Sequence, residues 1–441
     1  MPNTALQNTS NGLLALVWLL SLASIFIDAP ALKIANGAVL ALYIVLVAAF
    51  IRRSLQILCI ALAATTAAIS WYLDGWYWAW AGVEKAVLFS AFFGTLSLLR
   101  ATADRRPEIA RARQSVEKLT GDERDSGLLA GTFVLGSTLI VGVMAIFSPI
   151  VGRDAPFEIR KSAAEASQRG MCLACLWSPF WVAMAVSSEH LPDVPLWQVM
   201  AAGLALSAIG LVTAQMIYTP RVGLAGLGRA LAAFGPVIPP VALAAAAVLG
   251  LKAATPFTTL QCLVLGIPVL CLATLAASGL RHLTAGIRQS GQGLGAVRGE
   301  IVLLTCSFAL GRVLQVALEA GGAGDWVTAL APPPVAIIAA SVAIMSLLAF
   351  VGIHQIVTLT VVLVTFGSLS LGVDHLALMQ AGLLGWAFAS MIGLSAVSVA
   401  AAGTMYNVPL ERIAYGPNVK FVAVFGIIGT GWIALLNVVL T

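Results

Sequence analysis

Four short runs of small, hydroxyl and amide residues interrupt otherwise apolar sequence. Proline lacks a backbone N–H and disfavours helix at the residue before it, so Ser178-Pro179 predicts a helix break. Where the backbone leaves a helix inside a membrane, free N–H groups suit an anion, and carbonyls with hydroxyls suit Na⁺. The four runs are Gly136-Ser137-Thr138, Ser178-Pro179, Gly352-Ile353-His354-Gln355 and Ser395-Ala396-Val397-Ser398.

We expect these runs to supply two overlapping sets of ligands, with no catalytic residue and no cofactor beyond a Na⁺ coupling ion. Any single serine or threonine has an alternative role in helix packing, because small hydroxyl residues are common where membrane helices meet. The predicted Na⁺ ligands are Gly136, Ser178, Gly352 and Ser395. The predicted substrate-binding residues are Ser137, Thr138, Ser178, Pro179, His354, Gln355, Ser395 and Ser398.

Two ionisable side chains fall inside apolar segments and have competing interpretations. His354 could donate to an anion or carry a proton, because intramembrane histidine is rare and titrates near neutrality; it could also be a packing residue. Arg312 could extend to the outer surface, pair with Glu319 or Glu84, or attract an anion.

The composition identifies the class of protein. Of 441 residues, 60% are hydrophobic and 10% charged, and the mean hydropathy is +0.97. Soluble domains carry about 25% charged residues, so a soluble enzyme or a nucleic-acid-binding protein is excluded. The six cysteines lie in apolar segments, and no second pair or nearby histidine completes a metal site with Cys172 and Cys175. We predict an all-α polytopic membrane protein.

Hydropathy predicts about eleven membrane-spanning helices, each near 20 residues. The segment 71–80 (WYLDGWYWAW) has the aromatic density of a membrane–water interface. The stretches 126–151 and 333–372 are apolar but are not simple crossings. The predicted spans are 12–28, 33–51, 54–73, 78–99, 171–190, 196–218, 236–252, 256–278, 299–318, 376–405 and 420–440.

Positive charge favours a re-entrant hairpin at 126–151 over a full crossing. With a cytoplasmic N-terminus and a hairpin, 20 of the 24 lysines and arginines fall on the cytoplasmic side and only Lys33 and Lys252 lie outside. A full crossing would divide them almost evenly, against the positive-inside bias. The sequence thus predicts an external C-terminus, and cytoplasmic, partly amphipathic surface helices over 100–125 and 152–170.

Four landmarks recur in the same order at separations of 214 to 217 residues. The matched positions are Glu84 and Glu300, Gly136 and Gly352, Ser178 and Ser395, and Val194 and Val408. In the predicted topology the two halves have opposite orientations, which is typical of secondary transporters. We therefore predict a leading helix (1–29) and two inverted repeats (30–233 and 234–441), each with a hairpin (126–151; 333–372) and a broken helix (171–190; 376–405).

This arrangement resembles the ion transporter superfamily, which includes divalent-anion/sodium symporters, citrate and arsenite permeases and the large subunits of tripartite dicarboxylate transporters. The resemblance covers nearly the whole chain in architecture, and its specific part is the four runs above. Where the symporters usually carry Ser-Asn-Thr at a hairpin tip, this chain has Gly136-Ser137-Thr138 and Gly352-Ile353-His354-Gln355. The resemblance implies hairpin tips and helix breaks that hold substrate and sodium, and a homodimer.

The resulting hypothesis is a secondary active transporter, not an enzyme, that moves a small organic or inorganic anion coupled to Na⁺ or H⁺ by alternating access. Its setting is expected to be a bacterial inner membrane. The alternatives are a cation/proton antiporter and an anion efflux permease. Proton exchange usually relies on buried carboxylates, and no aspartate and few glutamates lie deep in the predicted spans. A membrane-embedded enzyme would show clustered catalytic side chains, and none is evident.

Overall fold

The protein is helical throughout the part that the structure describes. The computed structural model describes residues 4–320, 328–330, 332–369 and 371–441, and their side chains except those of residues 4–8 and 112. These residues form helices and no β-strand. Eleven helical stretches among them are long and apolar enough to cross a membrane. The chain is therefore an all-α integral membrane protein, as its composition predicts.

The first of two compact units comprises residues 1–102 and 247–330. In it α3 packs against α15, and a Cβ at Gly82 of α4 would lie 2.5 Å from the Phe308 carbonyl oxygen. Trp71 and Tyr72 are 80% and 87% exposed, which fits the predicted aromatic belt. The helices in or entering this unit are α1 (Thr4–Phe26), α2 (Pro30–Val47), α3 (Arg53–Tyr72), α4 (Trp76–Ala103), α12 (Ile238–Ala254), α13 (Thr259–Ala277), α14 (Leu280–Gly293) and α15 (Arg298–Ala320).

The second unit comprises residues 103–246 and 331–441 and contains every predicted site residue. Each predicted repeat contributes to both units. The helices of the second unit are α5 (Pro107–Glu117), α6 (Gly121–Leu139), α7 (Val143–Phe147), α8 (Phe157–Ala174), α9 (Val182–His190), α10 (Leu196–Tyr218), α11 (Gly223–Ala233), α16 (Pro334–Phe350), α17 (Gln355–Gly367), α18 (His375–Ile392), α19 (Val397–Tyr406), α20 (Leu410–Ala414) and α21 (Asn418–Leu440).

Ten of the predicted spans coincide with the apolar helical stretches. The exception is 171–190, where two helices occur: α8 begins at Phe157 and ends at Ala174, and α9 runs over Val182–His190. The stretch Gly121–Ile150, which we interpret as a hairpin, is also long and apolar enough to cross. Its helix α6 ends at Leu139, and Ile140 follows with φ +51°, a left-handed conformation that is unusual for a β-branched residue.

The prediction of a solvated surface helix over 152–170 is wrong for its second half. From Ala163 onward α8 is buried, including Glu165, Gln168 and Arg169. The polar residues suggested a water-exposed helix, but small residues let neighbouring backbones approach closely. A Cβ at Gly170 would lie 2.1 Å from the Leu129 carbonyl oxygen of α6. Tertiary packing therefore outweighs the polarity of this segment.

Two long helix pairs organise the second unit. α6 packs along α8 in the first half of the chain, and α16 packs along α18 in the second. Helices of the two halves of the chain also contact each other. Helix α17 contacts α9, and α19 contacts α7 and α8. Phe147 and Phe234 meet edge to face at 6.0 Å, and Phe388 and Phe425 at 5.7 Å. The two halves of the chain therefore pack against each other within this unit.

Candidate functional site

The first helix break is the non-helical segment 175–181 between α8 and α9. Its side chains are hydrogen-bonded to the end of α6. The Ser178 hydroxyl donates to the Ser137 carbonyl oxygen, and Trp181 Nε1 donates to the Gly136 carbonyl oxygen at 3.1 Å. Both acceptors lie in the last turn of α6, and the Gly136 carbonyl also accepts the backbone N–H of Ile140. The structure thus brings Gly136, Ser137 and Ser178 together.

Helix α10 packs closely against the same break. Ser207 Oγ lies 2.7 Å from the Gly203 carbonyl oxygen of its own helix and 2.9 Å from the Leu173 carbonyl oxygen, so its one hydrogen is shared between the two acceptors. Gly203 lies so close that an added Cβ would be 1.8 Å from the Leu176 carbonyl oxygen. The break therefore has a defined geometry, fixed by one hydroxyl and one glycine of α10.

The hydroxyls of Ser137 and Thr138 are turned towards their own helix. Ser137 Oγ donates to the Val134 carbonyl oxygen at 2.6 Å, and Thr138 Oγ1 to that of Leu135 at 3.3 Å. Both residues are buried. Their hydroxyl hydrogens are occupied, so each can offer a ligand only its oxygen lone pairs, which suits a cation better than an anion.

The second break lies between α18 and α19. The Ser398 hydroxyl donates back to the Ser390 carbonyl oxygen in the last turn of α18. Ser395 lies within the break, and its buried hydroxyl has no hydrogen-bond partner among the described residues. A buried polar group without a partner is costly. Ser395 is therefore the predicted residue with the clearest unused capacity to bind a ligand.

His354 and Gln355 form the start of α17. Gly352 precedes them with φ +96°, a conformation that favours glycine. His354 caps the helix, because its Nδ1 accepts the Ile356 backbone N–H at 3.3 Å. An accepting Nδ1 places the imidazole proton on Nε2. Gln355 Nε2 lies 3.5 Å from Ser390 Oγ, and Gln355 Oε1 is buried without a partner among the described residues.

Gln168 of α8 connects the first half of the chain to the second break. Its Nε2 donates to the Ser390 carbonyl oxygen at 3.0 Å, and its Oε1 accepts from Asn418 Nδ2 at 3.1 Å. Among the described residues, no hydrogen bond joins the Gly136–Ser178 group directly to Gly352 or Ser395. Pro179 is buried in the first break. That all four runs meet near the bilayer midplane stays a prediction.

Sequence reasoning missed Arg169, which it assigned to a cytoplasmic surface helix. The residue is 4% exposed, and Nη1 donates to Asn418 Oδ1 at 2.7 Å. Its guanidinium carbon lies 3.8 Å from the centroid of the Tyr218 ring. The neighbouring small residues Ala166 and Gly170 could have indicated that this part of the helix is buried, because small residues are typical of close helix packing.

The other charged side chains of interest have protein partners. The two buried carboxylates of this region are Asp125, 2.6 Å from Arg124, and Glu165, 3.0 Å from Lys161. In the first unit, Arg312 Nη1 donates to Gln315 at 2.8 Å, with the guanidinium 4.7 Å from the Trp78 ring centroid.

Glu319 and Glu84 have other partners than Arg312. Glu319 accepts from Gln315, while Glu84 accepts from Trp80 Nε1 at 2.8 Å. The predicted direct pair of Arg312 with either glutamate therefore does not form in the described part of the chain. Gln315 lies between Arg312 and Glu319 instead.

The fold has a counterpart among solved structures. The chain is similar to the crystal structure of the Alcanivorax borkumensis YdaH transporter, described as having an unusual topology, with a TM-score of 0.54 and 13% sequence identity. The alignment covers 86% of this chain and 96% of that one. The two chains therefore share a similar fold. At this identity the similarity concerns the fold alone. Comparison with protein-family models and with curated proteins finds no match.

Proposed function

We propose that this protein is a secondary active transporter that moves a small anion across the membrane, coupled to Na⁺ or H⁺. The observation that carries the proposal is the pair of helix breaks at residues 175–181 and 393–396, each lying in buried polar surroundings within one unit. Non-helical backbone at membrane depth persists only where protein, water or a ligand satisfies it. Transporters use such breaks to bind substrate and ions.

The helix lengths in the second proposed hairpin support a re-entrant segment there. α16 has 17 residues and α17 has 13. At 1.5 Å per residue they reach about 25 and 20 Å, less than the hydrocarbon thickness of about 30 Å. A residue with positive φ follows the first helix of each proposed hairpin, Ile140 after α6 and Gly352 after α16, although the repeat alignment pairs Gly352 with Gly136.

Polar groups at and near the two breaks suit both a cation and an anion. Gln355 Oε1 and the lone pairs of Ser137 and Thr138 are acceptors for Na⁺, while Ser395 and His354 Nε2 can donate to an anion. Gly136, Ser178, Gly352 and Ser395 are the proposed Na⁺ ligands, as in the sequence-based prediction. Proton exchange through a lone carboxylate has less support, because the buried Asp125 and Glu165 are ion-paired.

The family, assembly and location follow from the resemblance and the charge distribution. We place the chain in the ion transporter superfamily, as a homodimer in a bacterial inner membrane with the N-terminus in the cytoplasm and the C-terminus outside. The proposed occupants of the site are the anion and Na⁺, with no enzymatic reaction and no nucleic-acid partner.

Transport by the purified full-length protein in phosphatidylcholine liposomes tests this function. Uptake of radiolabelled succinate, citrate, phosphate and sulfate is measured with an imposed Na⁺ gradient, a proton gradient or neither. We expect one of these anions to accumulate with only one of the two gradients.

Two results would contradict the proposal. Movement of Na⁺ or K⁺ against protons, with no anion transport, would identify a cation/proton antiporter. Anion flux that needs no gradient and does not saturate would indicate a channel.

A further inference from the structure

Arg169 is a buried cation with no carboxylate within salt-bridge distance among the described residues, although Glu165 and Asp125 act on it electrostatically at longer range. Only 4% of the residue is exposed, and its hydrogen bond goes to the neutral Asn418. Arginine stays protonated in proteins, so its charge persists when buried. The Tyr218 ring, 3.8 Å from the guanidinium carbon, compensates part of the lost hydration through a cation–π contact.

The two buried carboxylates of this region are already paired with other bases. Asp125 lies 2.6 Å from Arg124, and Glu165 lies 3.0 Å from Lys161. The positive charge of Arg169 is therefore not neutralised by a direct ion pair within the described part of the chain. Buried charges in proteins are usually paired or bound to a ligand. The longer-range attraction to Glu165 and Asp125 supplies no hydrogen bond to the guanidinium, which therefore keeps a donor for an external anion.

The guanidinium keeps an unused donor on the edge that a carboxylate would bind. Nη1 is engaged by Asn418, whereas Nε is buried without a hydrogen-bond partner among the described residues. The Nε–Nη2 edge presents two parallel N–H donors that match the two oxygens of a carboxylate, or two oxygens of phosphate or sulfate.

The guanidinium is held in place by a chain of amides that leads to the second break. Asn418 Nδ2 donates to Gln168 Oε1, and Gln168 Nε2 donates to the Ser390 carbonyl oxygen at 3.0 Å. Ser390 in turn is bonded by Ser398 and approached by Gln355. A ligand on Arg169 would thus be coupled to the break that contains Ser395.

We propose that Arg169 recognises the charge of the transported anion by two parallel hydrogen bonds from its Nε–Nη2 edge to a carboxylate or a comparable oxyanion. This inference rests on the proposed function and assigns the residue that selects a charged substrate over a neutral one. It also accounts for an arginine at a position where lysine would offer only a point charge.

The test compares full-length wild type with Arg169→Gln and Arg169→Lys, and with Arg312→Gln as the matched control. Arg312 likewise bonds an amide and faces an aromatic ring, but lies in the first unit. Dissociation constants for succinate, citrate, phosphate and sulfate, and for neutral succinamide, are measured by ligand-induced shifts in melting temperature.

For the anion that wild type binds best, we expect Arg169→Gln to weaken affinity about 100-fold and Arg169→Lys about 10-fold, because charge-assisted hydrogen bonds are lost. Arg312→Gln should change it less than about threefold, as expected for an uninvolved site. Preference for the anion over its neutral amide should disappear in Arg169→Gln.

Three outcomes would overturn the assignment. The first is a lower melting temperature in Arg169→Gln with unchanged anion affinity, which indicates a structural role. The second is unchanged affinity in Arg169→Lys, which is decisive if the Gln variant does not fold. The third is an effect seen only when phosphatidylglycerol is added to phosphatidylcholine vesicles, which identifies a lipid phosphate. If wild type neither binds nor transports any of these anions, the proposed function itself fails, whatever the variants do.

Discussion

At the residue scale, the hydroxyl of Ser178 and the indole N–H of Trp181 both link the first helix break to the end of α6. The Ser178 donor is committed to the Ser137 carbonyl oxygen, so a bound ion would meet the oxygen lone pairs or the carbonyl itself. The residue therefore both shapes the break and stands beside the proposed Na⁺ ligand Gly136.

Ser178→Ala should weaken apparent substrate or Na⁺ affinity by about 10- to 100-fold. The loss of one hydrogen bond costs about 0.5–1.5 kcal/mol, or about twice that for a charged partner, and each 1.4 kcal/mol is tenfold. The apparent affinity is measured from the concentration dependence of uptake in proteoliposomes. The control is Thr404→Ala, whose exposed hydroxyl bonds its own helix. Normal transport by folded Ser178→Ala would remove this residue from the site.

His354 variants separate the cap from a ligand contact. His354→Ala should reduce apparent affinity at least as much as Ser178→Ala, because it removes both the α17 cap and the Nε2–H donor. His354→Asn keeps a capping side chain, but that side chain is too short to contact a ligand at the position of Nε2. The longer side chain of His354→Gln can make that contact and should partly restore transport. Equal activity of the Asn variant and wild type would limit His354 to the cap. Loss of proton coupling alone in the Gln variant would indicate proton carriage.

At the scale of elements, the first break depends on how closely α10 approaches it. An added Cβ at Gly203 would lie 1.8 Å from the Leu176 carbonyl oxygen, which is backbone and cannot move aside as a side chain would. The same helix supplies Ser207 to the Leu173 carbonyl. Helix α10 is thus a candidate membrane span that also packs directly against the break.

Gly203→Ala should lower stability by about 1–3 kcal/mol, the usual cost of overpacking a tight contact, and should impair transport. Gly94→Ala is the control, because an added Cβ there meets nothing within 4 Å and alanine favours helix by about 1 kcal/mol. Thermal unfolding of both variants in detergent measures the difference. If Gly203→Ala is as stable and active as wild type, the break tolerates movement and α10 does not fix it.

At the scale of the whole molecule, the charge distribution predicts which side each loop occupies. Asp154 is exposed in the loop before α8, and Asp28 is exposed between α1 and α2. The native cysteines offer little background, since five are buried and Cys306 is half-buried. These features make labelling of single introduced cysteines practicable.

A membrane-impermeant maleimide should label Asp28→Cys on intact cells and Asp154→Cys only after permeabilisation. The physical reason is the positive-inside bias, which places the basic loops in the cytoplasm. Wild type is the control for the native thiols. Labelling of Asp154→Cys from outside would mean that 121–150 crosses the membrane, and the inverted-repeat topology would be wrong.

The sequence alone determined the class of protein, ten of the apolar spans and the positions of both helix breaks, because hydropathy and helix-breaking residues act locally. It could not determine the environment of α8. The polar run from Glu165 to Arg169 satisfies the local pattern of a solvated helix, and only packing against α6, Asn418 and Tyr218 makes it interior. Burial of a charge depends on partners distant in the chain, and no local pattern of residues specifies them. Tertiary structure therefore decided which arginine is available to an anion.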